Sequence, residues 1–450
     1  MMIKPPQTLQ ERVHGAPPPT GWNLNKLHRV LRVRRGHKNT GMREDNLLSL
    51  SYGRIINKDI EGAEGLLPES FETYQIVEPG NIVMRLTDLQ NDKRSLRQGL
   101  VKERGIITSA YDALEVGKDH DPRFWAYALL ALDLAKYYYS LGGGVRQSIK
   151  FADFPNDWIA APDLPTQKAI ADFLDRETAR IDLLIEKKRR LVELVLLKET
   201  VVRDTFTVKG VTDHPLQPSG VEWFGDVPGH WIVCRFNRLI ASKVDYRGRT
   251  PEKVDDGVFL VTARNIRNGV IDYLRSQEFT TEADWAALSA RGLPEIGDIL
   301  FTTEAPLGQI AQVDRTDVAF AQRIIKFRAK DGLVSNDYLA QLMMSSQFQR
   351  SLLLFSSGST AAGIKSERLA HLFGLVPPKH EQRAIVAAMR EEKQRLGGLI
   401  APIQGSIDRL REFRAALITA AVTGKIDPET WSRRGTTDRR LDQIEAEMGA

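Results

Sequence analysis

The chain has 450 residues, 42% hydrophobic and 27% charged, which is the balance of an ordinary globular protein long enough for two or three domains. A net charge of +5 and a pI near 9.1 permit a polyanionic partner without requiring one. The single cysteine, Cys234, excludes a disulfide framework and a cysteine-cluster metal site, and fits a reducing cytoplasm.

The opening "MMIKPPQTLQERVHG" lacks the apolar run of a signal peptide. From Arg29 to Arg43 follows a basic stretch, "RVLRVRRGHKNTGMR", and then "SYGRIIN". "EPGNIVMRL" contains a short β-branched run that reads as a strand. "FWAYALLALDLAKYYYS", from Phe124, is the most apolar window; Asp133 and Lys136 interrupt it, and it is too short to cross a bilayer. A buried helix is expected there.

A long amphipathic helix is predicted from about Thr166 to Val208. Its positions 170, 174, 177, 181, 184, 188, 191, 195, 198 and 202 alternate steps of four and three, the spacing of a coiled-coil seam. Adding 215 to each number gives a second seam from Ile385 through Met389, Glu392, Leu396 and Leu399 to Leu417. The flanks repeat too: "APDLPTQKAI" matches "VPPKHEQRAI", with Pro162 over Pro377 and Gln167 over Gln382. Both helices should stop near a glycine, in "FTVKG" and "AVTGK".

"HPLQPSGVEWFGDVPGHW" reads as a linker. The second half then echoes the first: "VPGHWIVCRFNRL" resembles "PTGWNLNKLHRV", "EIGDILFTT" resembles "EPGNIVMRL", and "SNDYLAQLMM" resembles "DPRFWAYALL". A duplicated unit of globule plus helix explains this pattern. The expected organisation is a first globule over 1–160, a helix over 161–210, a linker and second globule over 211–375, a second helix over 376–427 and a charged, loosely packed tail over 428–450. Each apolar stripe needs a partner, and the tethered copy supplies it. A globule of this size cannot easily return the chain along a helix of about 65 Å. The two helices should therefore run antiparallel as an intramolecular coiled coil, with one mixed α/β globule at each end in pseudo-two-fold symmetry. The expected class is α+β. Pro402, with Gly397, Gly398 and Gly405 nearby, predicts a kink or break in the second helix.

Catalytic motifs are missing. "GSTAAGIKS" has the wrong lysine spacing for a phosphate loop and reads as a flexible loop. Pro162, Asp163, Glu186 and Lys188 spell a nuclease-like pattern, but Glu186 and Lys188 fall on different faces of the long helix. The eight histidines show no metalloprotease spacing, His371 and His380 lie too far apart to share a helix face, and neither an adenine-methyltransferase motif nor a Gly-rich adenosylmethionine loop is present. The chain is expected to be non-catalytic, with no catalytic residue, metal or cofactor of its own.

The remaining chemistry is basic and polar. Arg and Lys neutralise phosphates, while paired hydrogen bonds let Arg read guanine and Asn read adenine. Candidate DNA contacts in the first globule are Arg32, Arg34, Arg35, Lys38, Tyr52 and Arg54. In the second they are Arg247, Arg249 and Thr250 in "KVDYRGRTPEK", and Arg264, Asn265 and Arg267 in "VTARNIRNG". Taken singly, each is equally a solvated surface residue. Recurrence at comparable places in both copies favours the set.

Two variable globules, the segments "PDLPTQ" and "PPKHEQ" before long helices, "SGVEWFGDVPGHW" and the closing "AALITAAVTGKID" together resemble the specificity subunit of type I restriction-modification systems. The resemblance extends to about residue 427, with "RGRTP" similar to the family's Gly-Gly-Thr-Pro loop. It implies that each globule is a target recognition domain reading one half of a bipartite, asymmetric site in double-stranded DNA. It further implies helices that set the unread gap and dock two methyltransferase subunits, joined by restriction endonuclease/translocase subunits. S-adenosylmethionine, ATP and Mg would then belong to those partners, in a cytoplasmic complex with no membrane contact. The alternative is a structural coiled-coil protein whose globules bind other proteins.

Overall fold

A computed structural model gives the fold; it describes residues 6–58, 70–89, 96–141, 148–247, 250–356, 363–429 and 431. Arg249, the "GSTAA" part of the expected flexible loop and most of the expected loose tail lie outside the described residues. The chain forms two compact units, one from residues 1–187 and 405–450, the other from 188–404.

In the first unit, strand β1 (Asn23–Lys26) leads through a helical turn into β2 (Leu31–Val33). Strands β3 (Ile82–Met84), β4 (Gln98–Leu100) and β5 (Asp112–Val116) join β2 in an antiparallel sheet of order β2-β5-β3-β4. Helix α1 (Pro122–Leu134) follows, capped by the Asp121 carboxylate and started by a proline whose missing N–H costs nothing there. It is the buried helix expected from its composition: Phe124, Trp125, Leu129 and Leu132 are nearly inaccessible. Asp133 is buried with them and accepts the Arg97 backbone N–H at 2.6 Å. Strand β6 (Trp158–Ala161) then pairs antiparallel with β1, Asn23 opposite Ala161, and hands the chain to helix α2 (Leu164–Lys209).

The second unit repeats this order. Strand β7 (Ile232–Arg235), a 3-10 turn, and the sheet strands β8 (Ile240–Asp245), β9 (Ile299–Thr302), β10 (Ile310–Gln312) and β11 (Ile324–Ala329) give a sheet of order β8-β11-β9-β10. Helix α3 (Asn336–Met344), capped by Ser335, takes the place of α1. Strand β12 (Phe373–Val376) pairs with β7, Ile232 opposite Val376, and leads into helix α4 (Lys379–Val422). A main core joins the head to the helix ends, mixing Phe236, Phe301, Phe327 and Leu342 with Val208, Ile385 and Met389. A smaller core around Tyr246, Leu260, Ile266 and Phe320 supports a side lobe.

The duplication is visible in hydrogen bonds. Gln167, 1% exposed, donates to Pro162 O at 2.8 Å and accepts the Asp121 N–H at 3.0 Å. Gln382, 2% exposed, donates to Pro377 O at 2.8 Å and accepts the Ser335 N–H at 2.9 Å. Each glutamine thus ties the first turn of a long helix to the residue that caps the head's own helix. The glycines correspond as well. Gly424 (φ +73°) ends the α4 region, and a Cβ there would meet the Trp22 ring at 3.0 Å. Gly210 (φ +83°) ends α2, and a Cβ there would lie 3.3 Å from the Trp231 ring. Left-handed backbone and close aromatic approach both demand glycine at these stops.

Each unit therefore holds the start of one long helix and the end of the other, and within it the two run antiparallel. In the first unit, Phe173 meets Trp431 at 5.7 Å between ring centroids and Asp182 pairs with Arg414 at 3.0 Å, so the partner number falls as α2 advances. Ile170, Leu174, Ile181 and Leu184 fill the expected seam there. In the second unit the seam is looser, with Leu191 and Leu399 each 47% exposed.

The expected break at Pro402 does not occur. Helix α4 is continuous over its 44 residues. Proline removes one N–H from the ladder and crowds the carbonyl of Gly398 one turn earlier, and there is open space around Gly397 and Gly398, where a Cβ would meet nothing within 4 Å. Ordered packing on either side, at Leu396 and at Ile407, keeps the helical path.

Candidate nucleic-acid interface

Both heads carry a two-residue hairpin whose turn residues are left-handed. In the first unit Leu48–Ser51 pairs with Arg54–Asn57 across Tyr52 (φ 45°) and Gly53 (φ 77°). In the second, Ile266–Arg267 pairs with Val270–Ile271 across Asn268 (φ 48°) and Gly269 (φ 83°). This is the turn that matches strand twist. Asn-Gly is its usual sequence; Tyr-Gly is not. A left-handed tyrosine costs about 1–3 kcal/mol, and the result is an aromatic ring that is 74% exposed at the hairpin tip. Next to it, Arg54 is exposed and reaches Asp182 at 2.8 Å. An exposed pair of this kind is weak, so a phosphate can compete for the guanidinium.

Each hairpin leans on the last strand of its sheet: a Cβ at Gly53 would lie 3.6 Å from Gln98 O, and Gly269 N donates to Ile310 O at 3.0 Å. Arg267 and Arg264 are exposed on the second hairpin and its approach. Asn265, between them, is fully buried. Its Oδ1 accepts from Thr262 N and Oγ1, both at 2.9 Å, and its Nδ2 donates to Asp272 O and Ser276 O at 2.9 and 2.8 Å. Every polar edge of that amide is used to shape the loop, which corrects the expectation that it reads a base. Asn39 performs the same service in the first head, bonded through both amide atoms to the Glu44 backbone.

The second candidate region is the loop after the first sheet strand. In the first head Arg32, Arg35 and Lys38 are exposed. Arg34 is not: its guanidinium bonds Glu115 at 2.8 Å and Ile76 O at 3.1 Å with the side chain only 10% exposed, so it is a strut of the sheet rather than a contact. In the second head Arg247 grips its neighbour Asp245 through Nε at 2.9 and 3.1 Å. Burial opposes ionisation of Asp245, but the Arg247 guanidinium and N–H outweigh it and hold the carboxyl below the usual range. The Arg247 guanidinium remains partly accessible. Thr250 donates to Gln322 Oε1 at 3.0 Å, bringing Gln322 and the exposed Arg323 alongside this loop. Sequence reasoning missed those two because they come from a distant turn before β11.

Beneath the interface, the two copies differ in one buried feature. Asn81 and Asp298 occupy equivalent turns, each accepting the N–H three residues earlier, at 2.8 and 3.0 Å. In the second head Asp298 is bonded by Lys326 at 2.9 Å; in the first, where Asn81 replaces the aspartate, the position equivalent to Lys326 on the neighbouring strand is Ala113. Arg328 adds a contact at 2.7 Å. Charge and countercharge are present together or absent together, as burial requires.

Three histidine and acidic side chains far apart in sequence also converge in the second unit. His230 Nε2 lies 2.6 Å from Glu381 Oε1, His214 Nε2 3.8 Å from Glu381 Oε2, and the two imidazole centroids are 4.6 Å apart.

Residues 252–392 match the family model of the type I restriction modification DNA specificity domain. No curated protein sequence matches the chain. Among solved structures, a chain from work on complex assembly and conformational transition of the type I R-M system aligns at TM-score 0.63 and 15% identity, covering 91% of this chain and all of its own. The HsdS subunit from Thermoanaerobacter tengcongensis aligns at TM-score 0.45 and 14% identity, over 93% of this chain and all of that one, too loosely to carry an argument. No described helix is long and apolar enough to cross a membrane. Residues 252–392 thus match the type I restriction modification DNA specificity domain, within a fold that 91% of the chain shares with a chain from work on the type I R-M system.

Proposed function

We propose that this chain is the non-catalytic DNA-specificity subunit of a type I restriction-modification complex, and that each head reads one half of a bipartite, asymmetric site in double-stranded DNA. The observation that carries the reading is the pair of equivalent surfaces, a basic loop plus a left-handed hairpin, on two heads of one topology but different side chains. A shared scaffold with unlike contacts gives two unlike half-sites. Arg32, Arg35, Lys38, Tyr52 and Arg54 serve one head; Arg247, Thr250, Gln322, Arg323, Arg264 and Arg267 serve the other, with Arg249 assigned to the same loop from the sequence. Arg and Lys supply phosphate contacts, and Arg267 at a hairpin tip has the reach for a base edge.

The long helices fix the count of unread base pairs and dock two methyltransferase subunits. Leu191, Leu194, Leu197 and Val201 support the docking role: spaced by three and four, each is about half exposed, an apolar stripe that water alone does not favour. Restriction endonuclease/translocase subunits complete the assembly, and S-adenosylmethionine, ATP and Mg are held by those partners. The complex, not this chain, performs adenine methylation and ATP-dependent cleavage in the cytoplasm. Mapping methylated adenines in cells expressing the chain with its methyltransferase subunit tests this. A two-part motif with an unspecified gap is expected. A continuous motif, or methylation indifferent to the presence of this chain, refutes it.

A further inference from the structure

We infer that His214, His230 and Glu381 form a binding site for a divalent transition metal of the zinc class, which pins the linker ahead of the second head to the first turn of α4. One ligand atom from each residue lies within 4.8 Å of the others. Tetrahedral zinc with bonds of 2.0–2.1 Å places ligands about 3.4 Å apart. The gap between these atoms therefore closes with small side-chain rotations. His214 and His230 sit on linker chain with side chains 29% and 40% exposed, free enough to make them, while Glu381 is anchored at 12%.

The local arrangement suits a ligand set better than a plain ion pair. His214 Nε2 stands 3.8 Å from the carboxylate, too far for a hydrogen bond and close enough to share an ion. A third imidazole, His380, stands 3.8 Å from Glu381 Oε1 and faces solvent, so it or a water fills the fourth position. Trp231 donates its indole N–H to Glu381 Oε2 at 2.8 Å, the kind of outer bond that orients a ligating carboxylate. The ion takes the place of the His230–Glu381 contact and of the bond between Thr212 Oγ1 and His214 Nε2, 2.8 Å long. Two imidazoles and one carboxylate select zinc, cobalt or nickel over calcium and magnesium, which want oxygen.

The experiment uses the full chain freed of metal by chelator. Titration with Co2+ should give the visible bands of a tetrahedral nitrogen-oxygen site, saturating at one equivalent, and Zn2+ should bleach them. Zinc at about 100 µM should raise Tm by several degrees, a gain lost on adding EDTA. His214→Ala and His230→Ala together should abolish both signals while His28→Ala, on the first head, leaves them intact. Absence of cobalt bands in the wild-type chain overturns the inference whether or not the variants fold. Bands that persist in the double variant overturn it also, by placing the ion elsewhere.

Discussion

Replacing Gln382 with Met is the sharpest probe of the duplicated scaffold. The side chains have similar volume and helix propensity, so the change removes polar chemistry and little else. It strips partners from the Ser335 N–H and from the Pro377 and Leu333 carbonyls, bonded at 2.9, 2.8 and 2.9 Å. Leaving a buried polar group unsatisfied costs about 1–3 kcal/mol, and relaxation of the first turn toward solvent recovers part of that. We expect a net loss of about 3 kcal/mol. Gln167→Met should cost about as much, because its bonds to Asp121 and Pro162 are the counterparts. The two sites share no partner, so the double variant should lose close to the sum. Urea unfolding followed by tryptophan fluorescence gives the stability change, and amide hydrogen exchange should show faster exchange at Ser335 in one variant and at Asp121 in the other. Gln394→Met, at an exposed position of the same helix, is the control and should stay within about 0.5 kcal/mol. Losses below that limit at both buried glutamines, or unchanged exchange, refute the claim that they tie head to helix.

Four further outcomes are expected. Arg264→Ala with Arg267→Ala should relax or abolish one half of the methylated motif and leave the other half intact; an unchanged motif and DNA affinity remove both from the interface. Deleting one turn from each long helix shifts the heads by about 5 Å, between one and two base pairs at 3.4 Å each, so mapping should show a changed gap with the same half-sites. Asp133, its pKa pushed up to about 6 by burial against an unfolded value near 4, binds its proton more tightly in the native state. Stability should therefore fall by about 2 kcal/mol as pH rises from 4 to 7, and Asp133→Asn should remove that slope in urea titrations. Asp298 has the opposite sign. Burial opposes its ionisation, but Arg328, the Glu295 N–H and Lys326 hold its pKa below the usual range, so its contribution is present above about pH 4 and is lost on acidification through the lower native value. Asp298→Ala at pH 7.5 strands the buried Lys326 charge and should cost about 3–5 kcal/mol by chemical denaturation.

The sequence alone determined the features whose physical cause is local or periodic. Seam spacing announced both long helices, and the observed Leu164–Lys209 exceeds the expected span by only two residues before it and one after. Glycine stops, the apolar helix after Asp121 and the matched glutamines were legible for the same reason: a capping bond, a turn or a buried stripe is written within a few adjacent residues. Tertiary structure alone decided which polar groups face solvent. Arg34 and Asn265 look like readers in a linear string, yet one braces a sheet through Glu115 on a distant strand, and the other ties a loop by bonding Thr262, Asp272 and Ser276 around it, a closure that residue type alone does not announce. The same long-range closure assembled His214, His230 and Glu381, and brought Gln322 beside Thr250. Pro402 shows the converse. Its local penalty is real, but packing of Leu396 and Ile407 on either side outweighs one missing N–H, and the helix runs through it.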